Sequence, residues 1–155
     1  MLSLRTIITM LIIAAVLGTN QIPTAGAFSL PGMNRPESVK PANGSISLPV
    51  AKITSKARHY VFSDGGKEIR FFAVKGSNGA IRVAFDACDA CYREKKGYEQ
   101  KDDRMICRNC NMKFPVDRLG PNATGGCNPG YLPHRQMGNS VVIAVSDLKT
   151  GARYF

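Results

Sequence analysis

The sequence has no tryptophan, only two histidines in 155 residues, and eleven acidic residues against twenty-one basic ones. Without tryptophan a small domain lacks its largest core-filling side chain, which favours a staple of another kind. No nucleophile and base stand at a recognisable spacing, and there is neither a phosphate loop nor a paired-carboxylate signature, so an independent enzyme is not expected. No internal period and no long amphipathic helix appear, which excludes repeat arrays and helical bundles. Long apolar runs are also missing. The longest, Thr6 to Gly18, covers about thirteen residues, against the roughly twenty that a membrane-spanning helix needs.

That run follows a short segment carrying the single positive charge of Arg5, and Ala25-Gly26-Ala27 supplies the small residues a signal peptidase reads. Residues 1–27 therefore read as a secretory signal peptide, with an uncleaved N-terminal anchor as the alternative. Its removal takes Arg5 away and lowers the formal charge from +10 to +9. An exported protein rarely meets nucleic acid, and the Lys and Arg residues are scattered rather than striped, so no nucleic-acid partner is expected. From Phe28 to about residue 57 the composition turns to Pro, Gly, Ser and Asn, which reads as a flexible lead to a folded domain over 58–155.

What the chain does have is five cysteines in a distinctive arrangement. Cys88-x-x-Cys91 and Cys107-x-x-Cys110 form two knuckle-like pairs, and Cys127 follows inside Gly125-Gly126-Cys127-Asn128-Pro129. Each short loop aims two sulfurs at one point, and the link between pairs is long enough to bring the second loop opposite the first. Four thiolates of this kind suit zinc as a structural staple, or iron as a single ion or an iron–sulfur cluster. Cys127 is either a further ligand, which its flanking glycines would admit, or a small buried residue. An exported chain also allows each Cys-x-x-Cys to close as a disulfide, but five is an odd number and no alternating β-α pattern surrounds either pair. Four thiolates around a dication leave two negative charges, which Arg93, Lys95, Lys96, Arg104, Arg108 and Lys113 are near enough in sequence to offset.

The elements are short. His59 to Ser63 and Glu68 to Lys75 read as strands around Asp64-Gly65-Gly66, and Gly76-Ser77-Asn78-Gly79 turns the chain again. Ile81, Val83 and Phe85 alternate with Arg82, Ala84 and Asp86, a period of two that marks a strand leading into Cys88. Tyr92 to Arg104 reads as a turn or hairpin tip, Phe114 to Leu119 as one helical turn, and Ser140 to Val145 as a last strand. The expected fold is mainly β, a small α+β domain, hairpin-based and zinc-ribbon-like. The site would lie between two hairpin ends.

Other candidates have plainer readings. His59 and His134 suit surface or hydrogen-bonded roles as well as ligation. Met105, Met112 and Met137 could serve copper(I) beside the thiolates, but core filling explains them as well. Tyr92 and Phe114 stand where they would keep water from metal thiolates, or are simply core. Asp86 and Asp89, which bracket the first pair, suit turn chemistry.

The run Ile69-Arg70-Phe71-Phe72-Ala73-Val74-Lys75, the strand Ile81 to Asp86 leading into Cys88-Asp89-Ala90-Cys91-Tyr92, then Ile106-Cys107-Arg108-Asn109-Cys110, Phe114-Pro115 and Gly125 to Pro129 together resemble the FtrD-like family of membrane-associated iron–sulfur proteins. The resemblance implies an electron-transfer role accessory to bacterial iron uptake. Its cluster, of the 4Fe-4S type, would be held by Cys88, Cys91, Cys107, Cys110 and Cys127. Partners would be a membrane permease or periplasmic redox and metal-binding proteins, and the location periplasmic or membrane-associated. The alternative is a structural zinc ribbon, or a soft-metal module for copper or iron, without redox turnover.

Overall fold

The computed structural model describes residues 35–155. The expected signal peptide over 1–27 and the first part of the lead lie outside them. The fold is mainly β, with ten short strands in several small sheets and one short helix among the described residues.

The central sheet is a meander of β3 (Arg58–Asp64), β4 (Lys67–Lys75) and β5 (Ile81–Phe85), with β1 (Glu37–Val39) parallel to β3 at its edge. Gly65 and Gly66 join β3 to β4 with φ of 56° and 89°. Positive φ at both central residues is what a two-residue hairpin loop needs to match strand twist, and glycine supplies it without strain. The run Ile69 to Val74 in β4 is buried throughout except at Arg70, so this strand is covered on both faces.

On one face, Ile69, Phe71, Ala73, Val83 and Phe85 join a large core with side chains of a second sheet. That sheet is β2 (Ser45–Pro49) paired with β10 (Ser140–Ala144), which pairs in turn with β9 (Arg135–Met137). Ile46 and Leu48 of β2 meet Val141 and Ile143 of β10 in this core, and Leu148 of the helix α1 (Val145–Thr150) is buried with them. On the opposite face of the central sheet, Phe72, Val74 and Ala84 pack against a third sheet of β6 (Tyr98–Lys101), β7 (Arg104–Cys107) and β8 (Lys113–Pro115). Tyr98, Met105 and Phe114 from that sheet close a second, smaller core that takes in Cys88 and Cys107.

Three expectations change. The lead over 28–57 is not an open chain from Glu37 onward: β1, β2 and a 3-10 turn at Val50–Lys52 lie in it, and Ile46, Leu48 and Ile53 are fully buried. Their alternation, Ile46 and Leu48 inward with Ser47 and Pro49 outward, is a strand signal that the surrounding Pro, Gly and Ser content masks. Tyr92 to Arg104 is not a simple tip, because it carries a 3-10 turn at Tyr92–Glu94 and the whole of β6. Phe114 to Leu119 begins as strand β8 and becomes a single 3-10 turn only at Val116–Arg118.

If β2 belongs to the core, Ile46→Ala will lower unfolding free energy by about 2–5 kcal/mol, the cost of a cavity at a fully buried aliphatic side chain. Urea denaturation of the variant checks this, and an unchanged midpoint would return the segment to a loosely attached lead.

Candidate metal centre

Three separate stretches of backbone deliver the cysteines. Cys88 and Cys91 follow the end of β5, where the chain leaves the central sheet and the N–H of Tyr92 turns back onto the Cys88 carbonyl at 3.1 Å. Within this loop the Cys91 N–H donates to Cys88 Sγ at 3.3 Å. Cys107 ends β7 and Cys110 sits in the tight turn to β8. There the Asn111 N–H reaches the Cys107 carbonyl at 2.9 Å, with Asn111 itself at a φ of 59°. Cys127 comes from the long loop that leads to β9, and the Ala90 N–H donates to the Gly126 carbonyl at 3.2 Å, tying that loop to the first pair. The second pair thus rides a hairpin, whereas the first hangs from a strand of a different sheet.

The sulfurs meet. Those of Cys88, Cys91 and Cys127 lie within 4.8 Å of one another, as do those of Cys91, Cys107 and Cys110, so Cys91 belongs to both groups. Cys91 Sγ and Cys127 Sγ are 3.5 Å apart. Burial is graded across the cluster: Cys88 and Cys107 are buried, Cys91 and Cys127 intermediate, and Cys110 exposed. One side of the group faces the second core and the other faces solvent.

The surroundings are aromatic and hydrogen-bonded. Tyr98 is fully buried, packs edge-on to Phe114 with centroids 6.3 Å apart, and donates its hydroxyl hydrogen bond to the Cys127 carbonyl. Its backbone N–H donates to Asp86 Oδ1 at 2.6 Å, and Asp86 Oδ2 faces His59 Nδ1 at 3.3 Å. Gly97 is required beside this carboxylate. Its φ is 68°, and a Cβ there would stand 2.7 Å from the Asp86 oxygens. Tyr92 is half-buried and meets Tyr154 edge-on at 6.0 Å. Arg108 faces Glu99 at 3.6 Å and Lys96 Nζ donates to Asn109 at 3.0 Å, which holds two basic side chains near the second pair.

The remaining sequence candidates part ways. His134 turns Nδ1 to the Leu132 carbonyl and Nε2 to the Ile81 carbonyl, so it has no nitrogen left for a metal. Met105 fills the second core, but Met112 and Met137 are exposed and fill nothing. Asp89 reaches the Tyr154 hydroxyl at 3.0 Å rather than serving its own turn. The parts that sequence reading missed are Tyr98, Gly97 and the Asp86–His59 pair. Asp86-to-Tyr98 hydrogen bonding depends on a loop closing over twelve residues. No local spacing announces it.

The donors are thiols converging from three loops with no carboxylate among them, which suits zinc, copper(I), iron or an iron–sulfur cluster and does not suit calcium or magnesium. Fold and site therefore define a cysteine-rich β domain able to hold a soft or borderline metal. The family model described as membrane iron-sulfur containing protein FtrD-like matches residues 53–155, and the chain belongs to the FtrD-like family. No curated protein matches the chain. Among the described residues no helix is long and apolar enough to cross a membrane.

Free of metal, two groups of the centre hold their protons tightly. The Cys127 thiol is pushed up by its hydrogen bond with Cys110, then by burial and by Cys91. Burial, and then the neighbouring Cys88 sulfur, push the Tyr98 hydroxyl up as well. Both groups bind a proton more firmly folded than unfolded, so they stabilise the metal-free fold below their ordinary values and lose that contribution as pH rises through the window above. Thermal unfolding of chelator-stripped protein should therefore show a flat Tm near neutral pH and a decline once pH passes the ordinary thiol value of 9.0. A Tm that climbs through that range would contradict the assignment.

Proposed function

We propose that the domain is an exported electron carrier accessory to iron or other metal uptake, in which Cys88, Cys91, Cys107 and Cys110 hold an iron–sulfur cluster of the 4Fe-4S type, with Cys127 as a fifth sulfur beside them. The observation that carries this reading is the meeting of all five sulfurs from three loops, in a chain whose family is described as iron–sulfur containing. Such a group, when bound, supplies reversible one-electron chemistry.

The protein's own residues provide the rest. Cys88 and Cys107 are 1% and 2% exposed, so the second core excludes water from that side of the site. Exclusion of water and a low local dielectric make the net charge of the site matter more to its potential. Arg108 and Lys96, held in place by Glu99 and Asn109, offset negative charge on the thiolates. The exposed Cys110 marks the edge at which a redox partner can approach. Export, a periplasmic or membrane-facing location, and partners such as a membrane permease or periplasmic metal-binding proteins complete the proposal.

Protein purified without oxygen is expected to contain iron and acid-labile sulfide, with visible absorption that bleaches on reduction. Colourless protein with stoichiometric zinc would replace the electron carrier with a structural zinc-ribbon module. Two closed Cys-x-x-Cys disulfides and no metal would sink both.

Substitutions separate the sulfurs further. Cys107→Ser should strip the metal and lower the stability of the domain, because binding and folding free energy are linked in such sites. Cys127→Ser should shift the absorption spectrum or the midpoint potential. An unchanged spectrum and potential in that variant would assign Cys127 to packing alone.

A further inference from the structure

The two cysteine pairs are held by different means. Cys107 lies in the ladder between β6 and β7 and Cys110 in the turn to β8, whereas Cys88 and Cys91 lie in a loop beyond the last residue of β5. A contact other than a strand ladder must fix that loop if its sulfurs are to keep their places.

The 3-10 turn Gly151–Tyr154, which continues from α1, meets the loop before, within and after the pair. The Tyr154 ring centroid lies 5.8 Å from that of Phe85, which ends β5, and 6.0 Å from that of Tyr92, which follows Cys91. Its hydroxyl donates at 3.0 Å to Oδ1 of Asp89, which stands between the two cysteines. Tyr154 is itself held. It is 6% exposed, and the Arg153 guanidinium sits over its ring at 4.8 Å and donates to its hydroxyl oxygen at 2.7 Å. Lys67 Nζ, at the start of β4, donates to the Ala152 carbonyl at 2.9 Å. Gly151 lets the turn come this close, since a Cβ there would strike the Phe85 ring. The direct Arg153–Asp89 ion pair is 3.3 Å long and exposed on both sides, so it adds little. The Tyr154 hydroxyl, shielded by its neighbours and bonded to a carboxylate, is the stronger tie.

We infer that Tyr154 is a positioning residue of the metal centre: through Asp89, Phe85 and Tyr92 it holds Cys88 and Cys91 in place before a metal arrives, which leaves less ordering to be done on binding. The inference rests on the cysteines being a metal centre and not on which metal or cluster they hold.

Cobalt(II) titration of the reduced, chelator-stripped full chain without oxygen tests it, because the absorption of bound cobalt(II) reports how thiolates are arranged around the ion. Tyr154→Phe removes one hydroxyl and keeps the ring and every charge. It should weaken cobalt(II) binding about tenfold, a factor that one hydrogen bond supplies, and change the absorption of the bound ion. Added to Asp89→Ala, where the hydroxyl has no carboxylate to meet, the same substitution should change neither. A Tyr154 that served the fold alone would lower the urea midpoint of the stripped protein and leave cobalt(II) affinity and absorption as in the wild type. Unchanged affinity or unchanged absorption in Tyr154→Phe overturns the inference, as does an equal loss in the Asp89→Ala background. Should Tyr154→Phe fail to fold, Asp89→Ala, at an exposed position, decides through the absorption, which loss of a charge that is no ligand leaves unaltered. Iron and sulfide measured on the protein as isolated keep the two readings apart. Their absence, with Tyr154→Phe behaving as expected toward cobalt(II), defeats the electron carrier alone. Their presence, with Tyr154→Phe matching the wild type, defeats the positioning role alone. A wild type that takes up no cobalt(II) overturns the inference whatever its iron content.

Discussion

Phe72 and Val74 of β4, fully buried on the face that turns away from the larger core, are the contact on which the rest of the molecule depends. A small sheet of three strands such as β6-β7-β8 is marginal in water unless an apolar surface covers it. Here the back of the central sheet is that surface, and Tyr98, Met105 and Phe114 settle onto it. Because β5 leads into Cys88 and β7 ends on Cys107, the same contact that stabilises the third sheet also brings the two cysteine pairs together. Packing and site assembly are one event.

The site inherits its asymmetry from that arrangement. Cysteines nearest the sheet-to-sheet contact, Cys88 and Cys107, are buried, while the turn that carries Cys110 projects beyond it. The chain as a whole is strongly basic, and two of the basic side chains next to the second pair are individually held, Arg108 by Glu99 and Lys96 by Asn109. A basic excess spread over a surface is screened within about 8–10 Å at ordinary salt. Asp86 has a different task. Its two oxygens meet the start of β6 and His59 of β3 just past the end of β5, so one carboxylate joins three strands.

Much of this was legible in the residues. The period-two pattern of Ile81, Val83 and Phe85 and the glycine pair at 65–66 mark the central hairpins, and the cysteine spacing marks the candidate ligands. Strand β2 was hidden because two inward residues, Ile46 and Leu48, sit in a stretch whose composition resembles a linker. Its partner β10 lies almost a hundred residues away, and pairing over that distance leaves no local trace. The double burial of β4 was visible only as a continuous apolar run, which periodicity alone cannot assign to a strand covered on both faces.

The chain by itself determined which atoms are able to bind a metal, because thiol chemistry and the two-residue gap inside each pair are properties of local sequence. It also marked the turn at Gly65-Gly66, since glycine takes those backbone angles without strain, though not the turn at Asp102, which reaches a φ of 54° without glycine. Only the tertiary structure decided that Cys127 joins the other four, that Tyr98 closes over them, and that His59 faces Asp86. Cys91 and Cys127 stand 36 residues apart and Tyr98 and Cys127 stand 29 apart, and such relations are set by side chains packing on the two faces of one sheet. No stretch of sequence short enough to read in one piece contains both halves of such a contact.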